Sequence, residues 1–154
     1  MIALLLVTAA ATTGCSTGGN AVEDSLTVED AKAATQQFET DVAATIPDEM
    51  VDRTEQDETG VLLPCNEENT YQWTGNTRVF LTGPADEEAM LQQVAESFDN
   101  GTYSTDSGRP ETIIFGPGGE AAVVSYRENA VAINIASGSA CFSLPDDVDP
   151  TAEY

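Results

Sequence analysis

Residues 112–136 read TIIFGPGGEAAVVSYRENAVAINIA, and the fold turns on this stretch. It holds three short runs rich in β-formers, 112–115, 121–126 and 131–136, separated by Gly116-Pro117-Gly118-Gly119 and by Arg127-Glu128-Asn129. Gly and Pro punctuate turns, and connections this short join antiparallel neighbours, so the three runs read as a meander. In the last run Val131, Ile133 and Ile135 fall on one side, while Ala132, Asn134 and Ala136 fall on the other. Successive strand residues point to opposite faces, so one face of this sheet is apolar and the other small or polar. An antiparallel sheet packed on a core from one side only has this pattern.

The cover comes from upstream. Across 27–46 the apolar residues Ala31, Ala34, Phe38, Val42 and Ile46 recur every three or four positions, the spacing of one helix face. Thr27 and Asp30 fit a capping box at its start, and Pro47 fits its end. A second helix opens at Pro84 with Asp86, Glu87 and Glu88 in its first turn, where negative charge suits the helix dipole. Its buried stripe is Met90, Leu91, Val94, Ala95 and Phe98, and Asn100-Gly101 supplies a left-handed stop. Tyr103 then begins a strand. Between the helices, Tyr71, Trp73, Val79, Phe80 and Leu81 surround Gly75-Asn76, which is either a two-residue hairpin turn or a kink within one long strand. Residues 48–60, acidic and almost free of apolar side chains, read as an exposed connection leading to Cys65. The expected fold is α+β: a two-layer sandwich whose antiparallel sheet of about four or five strands is covered on one face by two helices. Residues 27–145 form the single domain, and the acidic tail 146–154 is expected to be disordered.

Charge narrows the partners. The chain carries 27 acidic and 5 basic residues, a formal charge of −22. Nucleic-acid affinity comes largely from Lys and Arg displacing counterions, and the sequence has no basic cluster, so that class is excluded. The acidity reads as a solvated surface that keeps molecules apart.

An apolar run fills residues 1–11, the length of a signal-peptide core and too short to span a bilayer. It leads into Thr12-Thr13-Gly14-Cys15, which resembles a bacterial lipobox, where a small residue precedes a Cys that takes a thioether-linked diacylglycerol and becomes the mature N-terminus. Thr12 stands where a lipobox usually carries Leu. No Lys or Arg precedes the apolar run, from which a translation start upstream of Met1 is expected. Residues 1–14 are thus read as a signal peptide, Cys15 as the lipidation site and 15–26 as a polar tether. The expected location is the outer side of the bacterial cell membrane, with lipid-free secretion after cleavage behind Ala9-Ala10-Ala11 as the alternative. With Cys15 taken by lipid, Cys65 and Cys141 remain as one pair, and an exported environment permits their disulfide.

The succession Pro64-Cys65, Tyr71-x-Trp73, a helix ending at Gly101 before Tyr103, a Gly-turn hairpin and Ile133-x-Ile135-x-Ser137-x-Ser139-x-Cys141-Phe142 resembles a group of small actinobacterial surface lipoproteins. The resemblance spans roughly residues 26 to 145 as a pattern of elements. It implies an exported, lipid-anchored α+β domain with one disulfide. The group is functionally uncharacterised, so it assigns no catalytic or binding residue.

The chain has no His, which rules out Ser-His-Asp and Cys-His catalysis and any His-ligated metal or haem site. Lys32, the sole lysine, sits in an acidic helix and reads as solvated. Asp146-Asp147-Val148-Asp149 lacks the ligand spacing and central Gly of a calcium loop, and the Gly116–Gly119 run lacks the Lys and following helix of a phosphate loop. No cofactor and no metal site is called for. Tyr71 and Trp73 are the candidate binding residues, provided that both point to the uncovered sheet face. The function expected is that of a monomeric, non-enzymatic module contacting an envelope protein or extracellular ligand. The alternatives are a His-free cell-wall glycan hydrolase using an Asp/Glu pair, and a carrier of apolar molecules with a cavity lined by Phe38, Leu91 and Phe98.

Overall fold

The computed structural model describes residues 25–154. The signal-like run, Cys15 and all but the end of the tether lie outside the described residues. Helix α1 (Val28–Ala43) is followed by a 3-10 turn (Asp48–Met50) and strands β1 (Val51–Gln56), β2 (Val61–Pro64) and β3 (Thr70–Leu81). Helix α2 (Glu87–Glu96) leads to β4 (Thr102–Ser104), β5 (Glu111–Phe115) and β6 (Ala121–Arg127). A second 3-10 turn (Glu128–Ala130), β7 (Ala132–Gly138) and β8 (Phe142–Ser143) complete the order. The class is α+β with two helices and an open antiparallel sheet, but the sheet has eight strands, more than the four or five expected.

Strand β3 is the spine. The sheet runs β1-β3-β7-β6-β5-β4, and β2 and β8 also pair with β3. Its first residues lie between β2 and β8, and the rest lies between β1 and β7. Gly75-Asn76 is therefore interior to one continuous strand: the register with β7 runs unbroken from Thr74↔Gly138 to Phe80↔Ala132. Strand β1 falls where an exposed connection was expected. An edge strand is held by its backbone and needs no apolar alternation, so DRTEQ shows no strand signal. Its register slips between Val51 and Arg53, and bulge plus charge protect the edge from stray pairing.

Thr27 caps α1 as expected, its hydroxyl accepting from the Asp30 amide at 3.1 Å. Ala31, Phe38, Val42 and Ile46 are buried as expected, Ala34 is exposed, and Val28, Thr35 and Glu39 complete the buried face of α1. Helix α2 starts after Asp86, whose carboxylate accepts from the Ala89 amide at 3.0 Å. Its C-cap, Ser97, is right-handed, and neither Asn100 nor Gly101 has a positive φ, so the expected left-handed stop is not used. Gly101 serves close approach instead, since a Cβ there would meet the Ala95 carbonyl oxygen at 2.1 Å.

Two apolar clusters lie between helices and sheet. The larger joins Phe38, Val42 and Ile46 to Met90, Leu91 and Val94 over Val79, Ile114, Val124, Ile133 and Ile135. The smaller joins Val28 and Ala31 to Leu62, Trp73, Phe142 and Leu144. Cys65 and Cys141 form the expected disulfide, with Cα atoms 6.4 Å apart, tying together the two short strands that flank the start of β3.

The segment 146–154 is ordered, against expectation. Tyr154 donates its amide to Gly60 O at 3.0 Å and accepts from Gly60 N at 2.8 Å, and Glu153 bridges to Val61. Val148 and Tyr154 pack on the smaller cluster, as does Leu26 from the end of the tether. Backbone bonds to an open strand edge hold this segment where its own apolar content would not.

Candidate functional site

Both helices cover the same face of the sheet, and the other face is open. Strand register lays out the open face as rows running across the strands. One row is Val61, Thr74, Gly138, Ala121 and Phe115. Beside it runs Asn76, Ala136, Val123, Ile113 and Thr102. Next come Glu55, Arg78, Asn134 and Ser125, and finally Arg53, Phe80, Ala132 and Arg127. The exposed large hydrophobic residues, Val61 (44%), Leu63 (46%), Phe115 (54%) and Val123 (39%), all lie on this face, Leu63 through its pairing with Gln72. The small residues Gly138, Ala121 and Ala136 lie between them.

The same face holds Arg53, Arg78 and Arg127, three of the five basic residues of the chain. Arg53 lies 3.7 Å over the Phe80 ring and pairs with Asp52 at 3.0 Å and Glu55 at 2.9 Å. The hydrogen bonds it donates to these carboxylates, Glu55 first, raise the pKa of its guanidinium further. Arg78 pairs with Asp57 at 2.7 Å. Arg127 is exposed and has no ion pair among the described residues. The open face thus divides into an apolar part and a part where the negative charge of the chain is locally offset.

Tyr71 and Trp73 are not on it. Both occupy odd positions of β3, which face α1. Trp73 is fully buried and donates its indole N–H to Tyr154 O at 3.3 Å, while Tyr71 packs half-buried on the smaller cluster. The ring of Trp73 lies against Gly60 and Gly75, where added Cβ atoms would approach it to 2.6 Å and 2.5 Å. The two candidates are core residues, and Val61, Leu63, Phe115 and Val123 are the large apolar side chains that the open face exposes. Phe38, Leu91 and Phe98, the proposed cavity lining, pack into the larger cluster, with Phe38 and Phe98 edge-to-face at 6.3 Å.

Sequence reading passed over Glu39. Its side chain is fully buried in the seam between the two apolar clusters. It accepts from Gln56 Nε2 (2.8 Å) on β1, from Thr77 Oγ1 (2.7 Å) on β3 and from the Ser137 hydroxyl on β7. One carboxylate thereby ties α1 to three strands. The signal was available: Val28, Ala31, Thr35, Phe38 or Glu39, Val42 and Ile46 keep perfect helical spacing once polar residues are admitted.

In front of this seam, between the last turn of α1 and β1, opens a cleft of about 350 Å³ lined by Thr40, Ala43, Ala44, Ile46, Asp48, Val51, Thr54, Gln56 and Thr77. Among the described residues no three His, Cys, Asp or Glu side chains are grouped to hold a metal ion, and no helix is long and apolar enough to cross a membrane. Comparison of the chain with protein-family models, curated proteins and solved structures finds no match in any of the three.

Proposed function

We propose that this chain is an exported, lipid-anchored, non-enzymatic interaction module of the bacterial envelope, and that the open face of its sheet is the docking surface. The observation that carries the reading is the gathering on one face of the exposed apolar residues Val61, Leu63, Phe115 and Val123 with Arg53, Arg78 and Arg127. A chain of charge −22 repels most macromolecular surfaces, and association is easiest where that charge is offset. The occupant that fits is a protein surface with an apolar centre and a carboxylate opposite Arg127. A second copy fits poorly, because its own acidic surroundings would be brought against these. Five strands and four rows make a face of about 20 Å by 20 Å, or about 400 Å² per partner, smaller than the interface of a stable complex and suited to a weak, transient contact. Anchoring through Cys15 would raise the local concentration enough for such a contact to serve. The disulfide agrees with an oxidising location, and the lipobox-like run and the resemblance to actinobacterial surface lipoproteins support the anchor.

Two measurements test this. Mass spectrometry of the mature protein is expected to show a diacylglyceryl-modified Cys15 at the N-terminus; an unmodified Cys15 would remove the anchor from the proposal. A photo-crosslinking residue at Val123, on cells, is expected to capture a partner that the same residue at Glu96, on α2, does not. Arg127→Glu is expected to weaken that capture. Equal capture from both positions, or no effect of the Arg127 change, would refute the docking face, and a crosslink to a second copy would refute the stated occupant.

A further inference from the structure

The cleft between α1 and β1 has a polarity that follows from counting protons. Gln56 donates Nε2 to Gln36 O at 2.8 Å and to Glu39 Oε2 at 2.8 Å. Both partners are pure acceptors, so the orientation of the amide is forced and both its hydrogens are used. Only its oxygen is left for the cleft. Thr77 spends its hydroxyl proton on Glu39 at 2.7 Å, and Thr40 spends its own on Gln36 O at 2.9 Å. Each retains lone pairs alone. Asp48 adds a carboxylate at the rim. Apart from Thr54, whose hydroxyl is free to turn either way, the polar side chains of the wall can accept and cannot donate.

Three sources of negative potential converge on the same place. Thr40, Ala43 and Ala44 belong to the last turn of α1 and its C-cap, the negative end of the helix dipole, and this turn contains no basic residue. Glu39 lies directly behind Gln56 and Thr77. The chain as a whole is strongly acidic. Ala43, Ala44, Ile46 and Val51 supply an apolar lining beside the acceptors. A divalent metal ion is a poor match, since it wants several carboxylate or carbonyl ligands and Asp48 is the only carboxylate in the wall.

We infer that this cleft is a binding site for a small organic cation, an ammonium group carrying a short apolar body, such as an alkylamine or the side chain of a basic residue. The ammonium would donate to the Gln56 and Thr77 oxygens beside the negative end of the α1 dipole, with its alkyl part on Ile46 and Val51. The site is separate from the open sheet face and does not depend on it.

The test is an amide-resolved NMR titration of the whole exported domain in 0.15 M NaCl with three probes of matched shape: n-butylammonium, n-butanol and butyrate. Butylammonium is expected to give saturable shifts centred on Thr40, Ala44, Thr54 and Gln56, and to bind about fivefold or more tighter than butanol, with butyrate giving none. Thr54→Lys, at an exposed edge position, puts a tethered ammonium at the cleft and is expected to abolish those shifts while the Trp73 signal stays native. Equal binding of butanol and butylammonium would overturn the inference. So would shifts scattered over the acidic surface without saturation, or undiminished binding by a folded Thr54→Lys variant.

Discussion

Replacing both Cys65 and Cys141 by Ala should cost this domain a large share of its stability. The disulfide spans 76 positions, from the end of β2 to the start of β8. In the chain-entropy treatment, opening a loop of that length returns about 15 cal/mol/K to the unfolded chain, or about 4.5 kcal/mol at 25 °C. Spread over roughly 130 residues at about 2 cal/mol/K each, this lowers Tm by about 15 °C. The magnitude matters because small domains hold only about 5–15 kcal/mol in reserve. The assay is urea and thermal unfolding of the wild type, the double variant and the reduced wild type, followed by Trp73 fluorescence. Trp73 is suited to it, being fully buried in the cluster that the disulfide borders. The double variant and the reduced protein should agree within about 1 kcal/mol, because both release the same loop. A loss below about 1 kcal/mol in the variant, with native fluorescence, would refute the reasoning: the unfolded chain would not have been constrained by the bond. A large loss on reduction without one in the variant would point to buried thiols and not to loop closure.

Gly75→Ala should destabilise by about 1–3 kcal/mol and shift Trp73 emission, since the new methyl would lie 2.5 Å from the indole and 2.7 Å from Glu39 Oε1. Thr77→Val keeps the shape of the side chain but removes a hydrogen bond to a buried carboxylate, so urea unfolding should show a loss of about 1.5–3 kcal/mol. The amide and hydroxyl of Thr151, in that order, hold the Asp149 carboxyl below its ordinary pKa. A depressed folded pKa gives a contribution that is present above the unfolded value and lost as pH falls through the folded one. The protection factor of the Tyr154 amide, whose residue donates its hydroxyl to Asp149 O, should therefore fall as pH drops below about 4, and Asp149→Asn should remove that pH dependence. With 27 acidic and 5 basic residues, Tm should rise between about 10 and 200 mM NaCl as self-repulsion is screened, and a flat response would show that the charges are already compensated.

Legibility in the sequence followed the kind of force involved. The strands β5, β6 and β7 and both helices show themselves because burial on one side imposes a period of two or of three to four on apolar residues. Strands β1 and β2 and the docked segment 146–154 are held by backbone pairing to an edge, and backbone groups are the same in every residue. Glu39 escaped notice for a related reason: a period counted on apolar residues skips a carboxylate, however deeply it is buried. Tyr71 and Trp73 could be recognised as strand aromatics but not assigned a face, because Gly75-Asn76 left the path of β3 open between a turn and a continuous strand.

By itself, then, the sequence determined the class of the fold, the one-sided cover of the sheet and the absence of histidine chemistry, and it set out the cysteine pairing that the structure contains. Those follow from composition and local period. Only the tertiary structure decided that Val61, Leu63, Phe115, Val123 and three arginines share one open face, and that Gln56, Thr77 and Thr40 line a common cleft. Such sites join residues far apart in the chain. Which of them meet is set by strand order and register, and those depend on every pairing in the sheet at once.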